Sequence, residues 1–210
     1  MNNKIPIFPL NIVIFPDSSY PLHIFEERYK RMLKRSLENN EEFGIVSKID
    51  LEISHIGCMA KISEIVKTYE NGSTDIIIKG GARFNIISQN FHPDGYLEAE
   101  VTPFEDLGEE EVDTVLVNKI MVRFHMVLEK AQVELSKNYW RKLKSANFKS
   151  YKFAEKAGMN LKQQQDLLCL QSEKERLRFV LNHFERIEKL IDKNQLISEI
   201  IAGDGYINLN

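Results

Sequence analysis

The stretch IGCMAKISEIVKTYENGSTDIIIKGGARFNIIS, residues 56–88, decides the fold class. Runs rich in Ile, Val, Thr and Tyr flank Asn71-Gly72, two residues that tolerate positive φ, so 56–69 and 74–79 read as the strands of a hairpin. Gly80-Gly81 reads as a second turn, with a further strand over 82–88. Toward the N-terminus, Ile5–Phe8, Ile12–Phe15 and Phe43–Val46 are short β-branched and aromatic runs bounded by Pro and Asn. Toward the C-terminus, Asp94-Gly95 leads into a strand over 96–102. Short strands at this spacing predict a barrel-like or sandwich sheet.

One helix interrupts the series. From His23 to Leu37 the residues Phe25, Tyr29, Met32 and Leu33 recur at spacings of three and four, giving one apolar face, and Pro21 suits the approach to its first turn. After Gly108 the pattern turns helical, over 111–135, 151–157, 161–171 and 173–191. The last is clearest, with Leu177, Val180, Leu181, Phe184, Ile187, Leu190 and Ile191 on a 3.6-residue period. The reading is therefore α+β: a β-rich subdomain over 1–108, a helical bundle over 109–195 and a tail over 196–210.

With 210 residues, 28 Lys+Arg against 31 Asp+Glu and 43% hydrophobic residues, the composition is that of an ordinary globular chain. It excludes the disordered and collagen-like classes, and a net charge of −3 gives no reason to expect nucleic acid or acidic lipid as a partner of the whole chain. Pro6, Pro9 and Pro16 interrupt the apolar N-terminal stretch, no basic segment precedes it, and its span of about 12 residues falls short of the roughly 20 that cross a bilayer. Two cysteines, Cys58 and Cys169, fit a reducing compartment, so the expected location is the cytoplasm.

Motifs for chemistry are sparse. No GxxxxGK[ST] phosphate loop, GxSxG elbow or HExxH pair occurs, and Gly80-Gly81-Ala82-Arg83 lacks the lysine that a phosphate loop needs. His23, His55, His92, His125 and His183 are scattered singly. His55 and Cys58 stand three apart with no second pair to complete a metal site, so neither a metal nor a cofactor is expected. Both cysteines lie in apolar runs and read as small buried hydrophobes. A hydrolase would need a nucleophile and base to converge, with Cys58, His55 and His125 the residues to inspect.

Charge is unevenly placed. Between Tyr96 and Asp113 there are eight acids and no base, whereas Lys137–Lys156 holds seven bases and one acid, interleaved with Tyr139, Trp140, Phe148, Tyr151 and Phe153. Bases alternating with rings are one way to hold single-stranded nucleic acid; the plainer reading is a solvated basic segment anchored by its aromatics.

The phrases IPIFPLNIVIFPD (5–17) and YPLHIFEERYKRM (20–32) resemble the start of the Lon protease N-terminal, substrate-binding domain. In the same order, Gly44-Ile45-Val46, Ile56-Gly57-x-x-Ala60-x-Ile62, Asn71-Gly72, Gly80-x-x-Arg83-Phe84 and Tyr96–Val101 resemble that family's strands and hairpin, and Leu161-x-x-Gln164-Gln165, Glu175-Arg176-Leu177 and the last helix resemble its bundle. The resemblance covers residues 4–192. It implies a PUA-like pseudo-barrel with one helix followed by a helical bundle. As a stand-alone form lacking the ATPase and Ser–Lys protease domains, the chain would be a non-enzymatic module binding unfolded or exposed apolar polypeptide, with no cofactor and no membrane. Homo-oligomer formation is left open, and a nucleic-acid module using residues 137–156 is the alternative.

Pro21, Glu26, Arg28, Tyr29, Gly57, Gly80, Arg83 and Phe84 fall on the shared phrases, where architecture explains them: Pro sets extended segments, Gly permits turns or close approach, and Glu26, Arg28 and Arg83 offer paired charges to fix the helix on the sheet. The expected peptide contacts are Phe15, Tyr20, Phe91 and Tyr96, aromatics at strand ends and turns where exposure is expected.

Overall fold

A computed structural model describes residues 4–108 and 113–191. The chain divides into two compact units, Met1–Glu105 and Asp106–Asn210.

In the first unit the strands are β1 (Lys4–Leu10), β2 (Ser19–Ile24), β3 (Phe43–Ile49), β4 (Glu52–Ile53), β5 (Ile56–Thr68), β6 (Thr74–Phe91) and β7 (Leu97–Pro103), with helix α1 (Glu27–Asn39) between β2 and β3. β1 pairs antiparallel with β7, β7 with β6, β6 with β5 and β5 with β3, and β3 returns to β1 in parallel register, Ile7 opposite Gly44. The pairing closes on itself, which removes most free edges. Alternation along β1 and β3 sends Phe8 and Ile45 into one core with Tyr29, Met32 and Leu33 of α1, and Ile7 and Val46 into another with Phe84, Ile86, Ala99 and Val101. Phe84 fills the second core because Gly57 leaves it room: a Cβ there would lie 2.5 Å from its ring.

β6 runs unbroken from Thr74 to Phe91, so Gly80-Gly81 is not a turn. Cys58 pairs with Arg83 and Ala60 with Gly80, leaving two β6 residues, Gly81 and Ala82, opposite Met59. This is a β-bulge, and it bends the strand. Beside it the segment after β1 docks through its backbone: Asp17 N–H donates to the Gly80 carbonyl (3.0 Å) and Gly80 N–H to that of Ser18 (2.8 Å). A Cβ on Gly80 would stand 2.2 Å from the Phe15 carbonyl oxygen.

The helix expected from His23 begins at Glu27, because Ser19–Ile24 is instead a strand on β6, with Pro21 opposite Ile77. Phe25 therefore precedes the helix and is 64% exposed rather than on its apolar face. That face is Tyr29, Met32, Leu33 and Ser36. Its basic side reaches two turns: Lys30 donates to the Asn71 carbonyl (3.0 Å), Arg31 to that of Asp94 (3.0 Å) and Arg35 to the Tyr96 hydroxyl (3.1 Å). The charges expected to hold the helix pair otherwise, Arg28 with Glu26 (2.6 Å), while the Arg83 guanidinium lies 4.9 Å from the Phe104 ring centre. The 12–15 run is buried at Val13, Ile14 and Phe15 but irregular.

The second unit holds α2 (Thr114–Lys130), α3 (Lys137–Ser145), α4 (Lys149–Ala154), α5 (Leu161–Leu168) and α6 (Glu173–Ile191). α2 and α6 supply the apolar centre, with Phe124 and Phe184 stacked 5.2 Å apart. The buried Arg176 guanidinium grips both Asp106 oxygens (2.7 and 2.5 Å), donates to Glu173 (3.1 Å) and the Leu170 carbonyl (2.9 Å), and lies against the rings of Phe148 and Tyr151. Four of the five N–H groups of this cation are met, two of them by one carboxylate, which offsets the cost of burying it. Cys169 is exposed at the end of α5, contrary to the buried reading, because the helix stops there and turns the side chain outward. The 196–210 tail lies outside the described residues.

The backbone contact at Gly80 predicts a sharp contrast between neighbours. Gly80→Ala should lower stability by about 2–4 kcal/mol, because backbone at the contact must shift. Gly81→Ala, whose nearest neighbour would be the Met59 Cβ at 3.4 Å, should stay within about 1 kcal/mol. Urea titration measures both, and equal losses would refute the pinning role.

Candidate functional site

Among the described residues no group of His, Cys, Asp and Glu is arranged to hold a metal. Burial pushes the Cys58 thiol up to about 12, and its sulfur donates to the Gly81 carbonyl (3.2 Å). His55, in the same unit, is exposed and is no hydrogen-bond partner of the Cys58 thiol, while His125 belongs to the second unit, where its ring stacks on Trp140.

The basic segment also changes meaning. Tyr139, Tyr151 and Phe153 are buried inside the helical unit, and Trp140 stacks on His125 (4.6 Å, 12°), so its rings do not form an open ladder for bases. Lys149 is spent on the carbonyls that end α3, at 3.0 Å from those of Lys144 and Ala146. Ser136 caps α3, a helix where the sequence predicts only a solvated basic segment.

Of the four expected peptide contacts, only Phe91 is exposed, at 71%. Phe15, Tyr20 and Tyr96 are buried, a correction with a clear cause. Each ends a strand or turn folded back on the sheet: the Tyr20 hydroxyl accepts from Phe15 N–H (2.9 Å), and Tyr96 is covered by Arg35 and by His92, stacked 4.4 Å away.

The accessible apolar groups gather elsewhere. Beyond the Gly81–Ala82 bulge, β6 leaves the closed ring as the centre of a three-stranded arm, with β2 on one side (19–24 against 79–74) and the far half of β5 on the other (61–68 against 79–74). β3 reaches β5 only at 58–60, so Lys61–Thr68 has one edge on β6 and, among the described residues, no strand on the other. The β2 edge is interrupted by Pro21, which has no N–H to give. On β5, register shifts leave Ser63 and Val66 as extra residues, and bulges re-aim side chains. Ile65 and Val66 are 49% and 56% exposed. The adjacent pair Ile65-Val66 breaks the apolar–polar alternation of the strand, and that was the sequence signal of the bulge.

Near the arm's turn a polar cluster fixes the geometry. Asp75 accepts from the Tyr69 hydroxyl and pairs with His23 Nδ1, both at 2.6 Å, and these two partners hold its carboxyl below the usual carboxylate range. Lys67 lies 4.4 Å from the centre of the Tyr69 ring, and Phe25 stacks on His23 at 6.0 Å. The result is an exposed strand edge bordered by aliphatic and aromatic side chains, a surface suited to extended polypeptide rather than to bond-breaking.

Residues 4–186 match the family model of the ATP-dependent protease La (LON) substrate-binding domain. The chain belongs to that family. It is 25% identical over 215 aligned positions to the Lon protease of Cytophaga hutchinsonii, covering 93% of this chain and 25% of that protein. It is 30% identical over 118 positions to Lon protease 1 of Bdellovibrio bacteriovorus, covering 51% of this chain and 14% of that one. The chain thus spans a quarter or less of the curated relatives' length. Two solved structures share the fold: a Lon N-terminal domain protein from Xanthomonas campestris (TM-score 0.62, 21% identity, 85% of this chain and 97% of that one) and the N-terminal domain of a Mycobacterium avium complex Lon protease (TM-score 0.63, 16% identity, 87% and 98%). The resemblance seen in the sequence is confirmed.

The two thiols of this Lon-type domain should react very differently. At pH 8 only about one Cys58 in 10⁴ is a thiolate. An aromatic disulfide reagent should therefore titrate one thiol per native chain, at Cys169, and two after unfolding in guanidinium. Rapid modification of Cys58 in the native protein would contradict its burial.

Proposed function

We propose that this chain binds unfolded polypeptide by adding an extended, apolar segment to the outer edge of β5. The observation that carries the reading is the run Lys61–Thr68: among the described residues it pairs on one side only, and it contains no proline and presents Ile65 and Val66 to solvent. Main-chain hydrogen bonds to such an edge are indifferent to sequence, while flanking aliphatic side chains favour apolar residues, which is the selectivity required for recognising exposed segments of many proteins. Membership of the substrate-binding family supports it. Phe91, with Ile87 four residues before it on β6, is a second exposed apolar contact. We read the closed ring β1–β7–β6–β5–β3 as the PUA-like pseudo-barrel that holds the arm.

Fluorescence anisotropy with a labelled, reduced and carboxymethylated protein as permanently unfolded client tests the assignment. The double substitution Ile65→Asp, Val66→Asp should weaken binding about tenfold or more, since each apolar contact contributes on the order of 1 kcal/mol. The variant should remain folded with only a modest fall in melting temperature, because about half of each side chain is already open to water. Unchanged affinity in the double variant would overturn the β5 assignment.

A further inference from the structure

The charges and bulges of the outer β5 edge are placed so that the edge complements itself, a property that binding a client does not require. β6 alternates regularly over Thr74–Lys79, with Ile76 and Ile78 in the first core, so each β5 residue takes the face of its β6 partner. Ile62, Ile65 and Thr68, opposite Ile78, Ile76 and Thr74, lie on the core face. Lys61, Glu64 and Lys67, opposite Lys79, Ile77 and Asp75, lie on the outer face. With Ser63 and Val66 as extra residues, Lys61–Thr68 makes six pairing steps: Lys61, Ile62, Ser63-Glu64, Ile65, Val66-Lys67 and Thr68.

Two copies joined here by a two-fold axis pair antiparallel, and residues that meet across the join must share a face. The edge available is short, because β3 already covers Cys58–Ala60 and the strand ends at Thr68. Two registers keep the faces matched and use five of the six steps. With the axis at Ser63-Glu64, Glu64 meets Glu64 and Lys61 meets Lys67 of the other copy, so every charged contact is repulsive. With the axis at Ile65, Ile65 meets Ile65, Ile62 meets Thr68, and the Ser63-Glu64 step meets the Val66-Lys67 step. Glu64 then faces Lys67 twice across the join. The bulges also oppose each other, two residues against two, so no gap opens in the pairing. Glu64, Ile65, Val66 and Lys67 are all exposed and open to such a contact.

We propose that two copies of this chain associate through β5 in the second register, as a symmetric dimer whose axis passes Ile65. Because the join is isologous it uses up the edge and does not propagate into fibres. A second copy and a client would compete for one strand, so chains at high concentration keep their own binding edge covered. The association itself does not rest on client binding.

Sedimentation velocity of the full chain without client, at low salt, reads the association. From about 10 µM to 1 mM the wild type should pass from monomer to dimer, with a dissociation constant on the order of 100 µM for so small a join. Glu64→Lys and Lys67→Glu each set like charges against each other at both symmetric contacts, and each should weaken the dimer about tenfold or more. An equimolar mixture of the two single variants should recover wild-type association, because their charges are complementary between the copies and not within either homodimer. That recovery also shows that both variants are folded. A wild type that stays monomeric to about 1 mM, single variants that associate as wild type does, or a mixture that stays monomeric would each overturn the proposal. Client anisotropy at nanomolar chain, far below the association range, reads client binding separately, so failure of one assignment is distinguishable from failure of the other.

Discussion

The Phe15 carbonyl resting on Gly80 is the contact from which the shape of the first unit follows. Two backbones approach there closer than any side chain permits, and two hydrogen bonds between Asp17, Ser18 and Gly80 hold them. Chain direction after β1 is thereby fixed. β2 is laid along β6 in a register that places Tyr20 opposite Ile78 and Ile24 opposite Thr74, and the buried Tyr20 hydroxyl closes the loop on Phe15 N–H. The neighbouring bulge at Gly81–Ala82 bends β6 out of the ring. Remove the close approach and β2 loses its partner, and with β2 goes one flank of the arm.

The binding proposed here follows from edges. The ring of β1, β7, β6, β5 and β3 consumes both sides of nearly all its strands, so little backbone is left for recruiting another chain. The arm reverses this with two outer strands, and the chemistry of each decides its use. Pro21 breaks the donor row of β2. β5 keeps every N–H from Lys61 to Thr68, and its bulges turn Val66 toward solvent while twisting the edge enough to discourage the flat pairing that leads to aggregation. Lys30, bonded to the Asn71 carbonyl, and the Tyr69–Asp75–His23 cluster keep the arm ordered without covering that edge.

Much of this was legible in the sequence. Asn71-Gly72 marked the hairpin, the 3.6-residue period of 173–191 gave α6 its full length, and the ordered phrases gave the family. Three things were not, for identifiable reasons. Two adjacent glycines carry the same local signal whether they turn a chain or admit another backbone, and only the position of Phe15 tells the two apart. Ser19–Ile24 reads as the approach to a helix because its strand character comes from a partner fifty or more residues away, at 74–79. Aromatics near turns look exposed in sequence, yet Phe15, Tyr20 and Tyr96 are held inside by hydroxyl, guanidinium and imidazole contacts from distant residues. The candidate site was hidden by the same limit: a free edge is defined by a missing neighbour, which no local pattern records.

The most direct measurement is hydrogen–deuterium exchange of the full chain with and without a permanently unfolded polypeptide. Binding at the β5 edge predicts slower exchange of outward-facing amides within residues 61–68, with the Pro21-interrupted strand 19–24 unaffected. Bound client that leaves 61–68 unprotected, or protection confined to other segments, would contradict it.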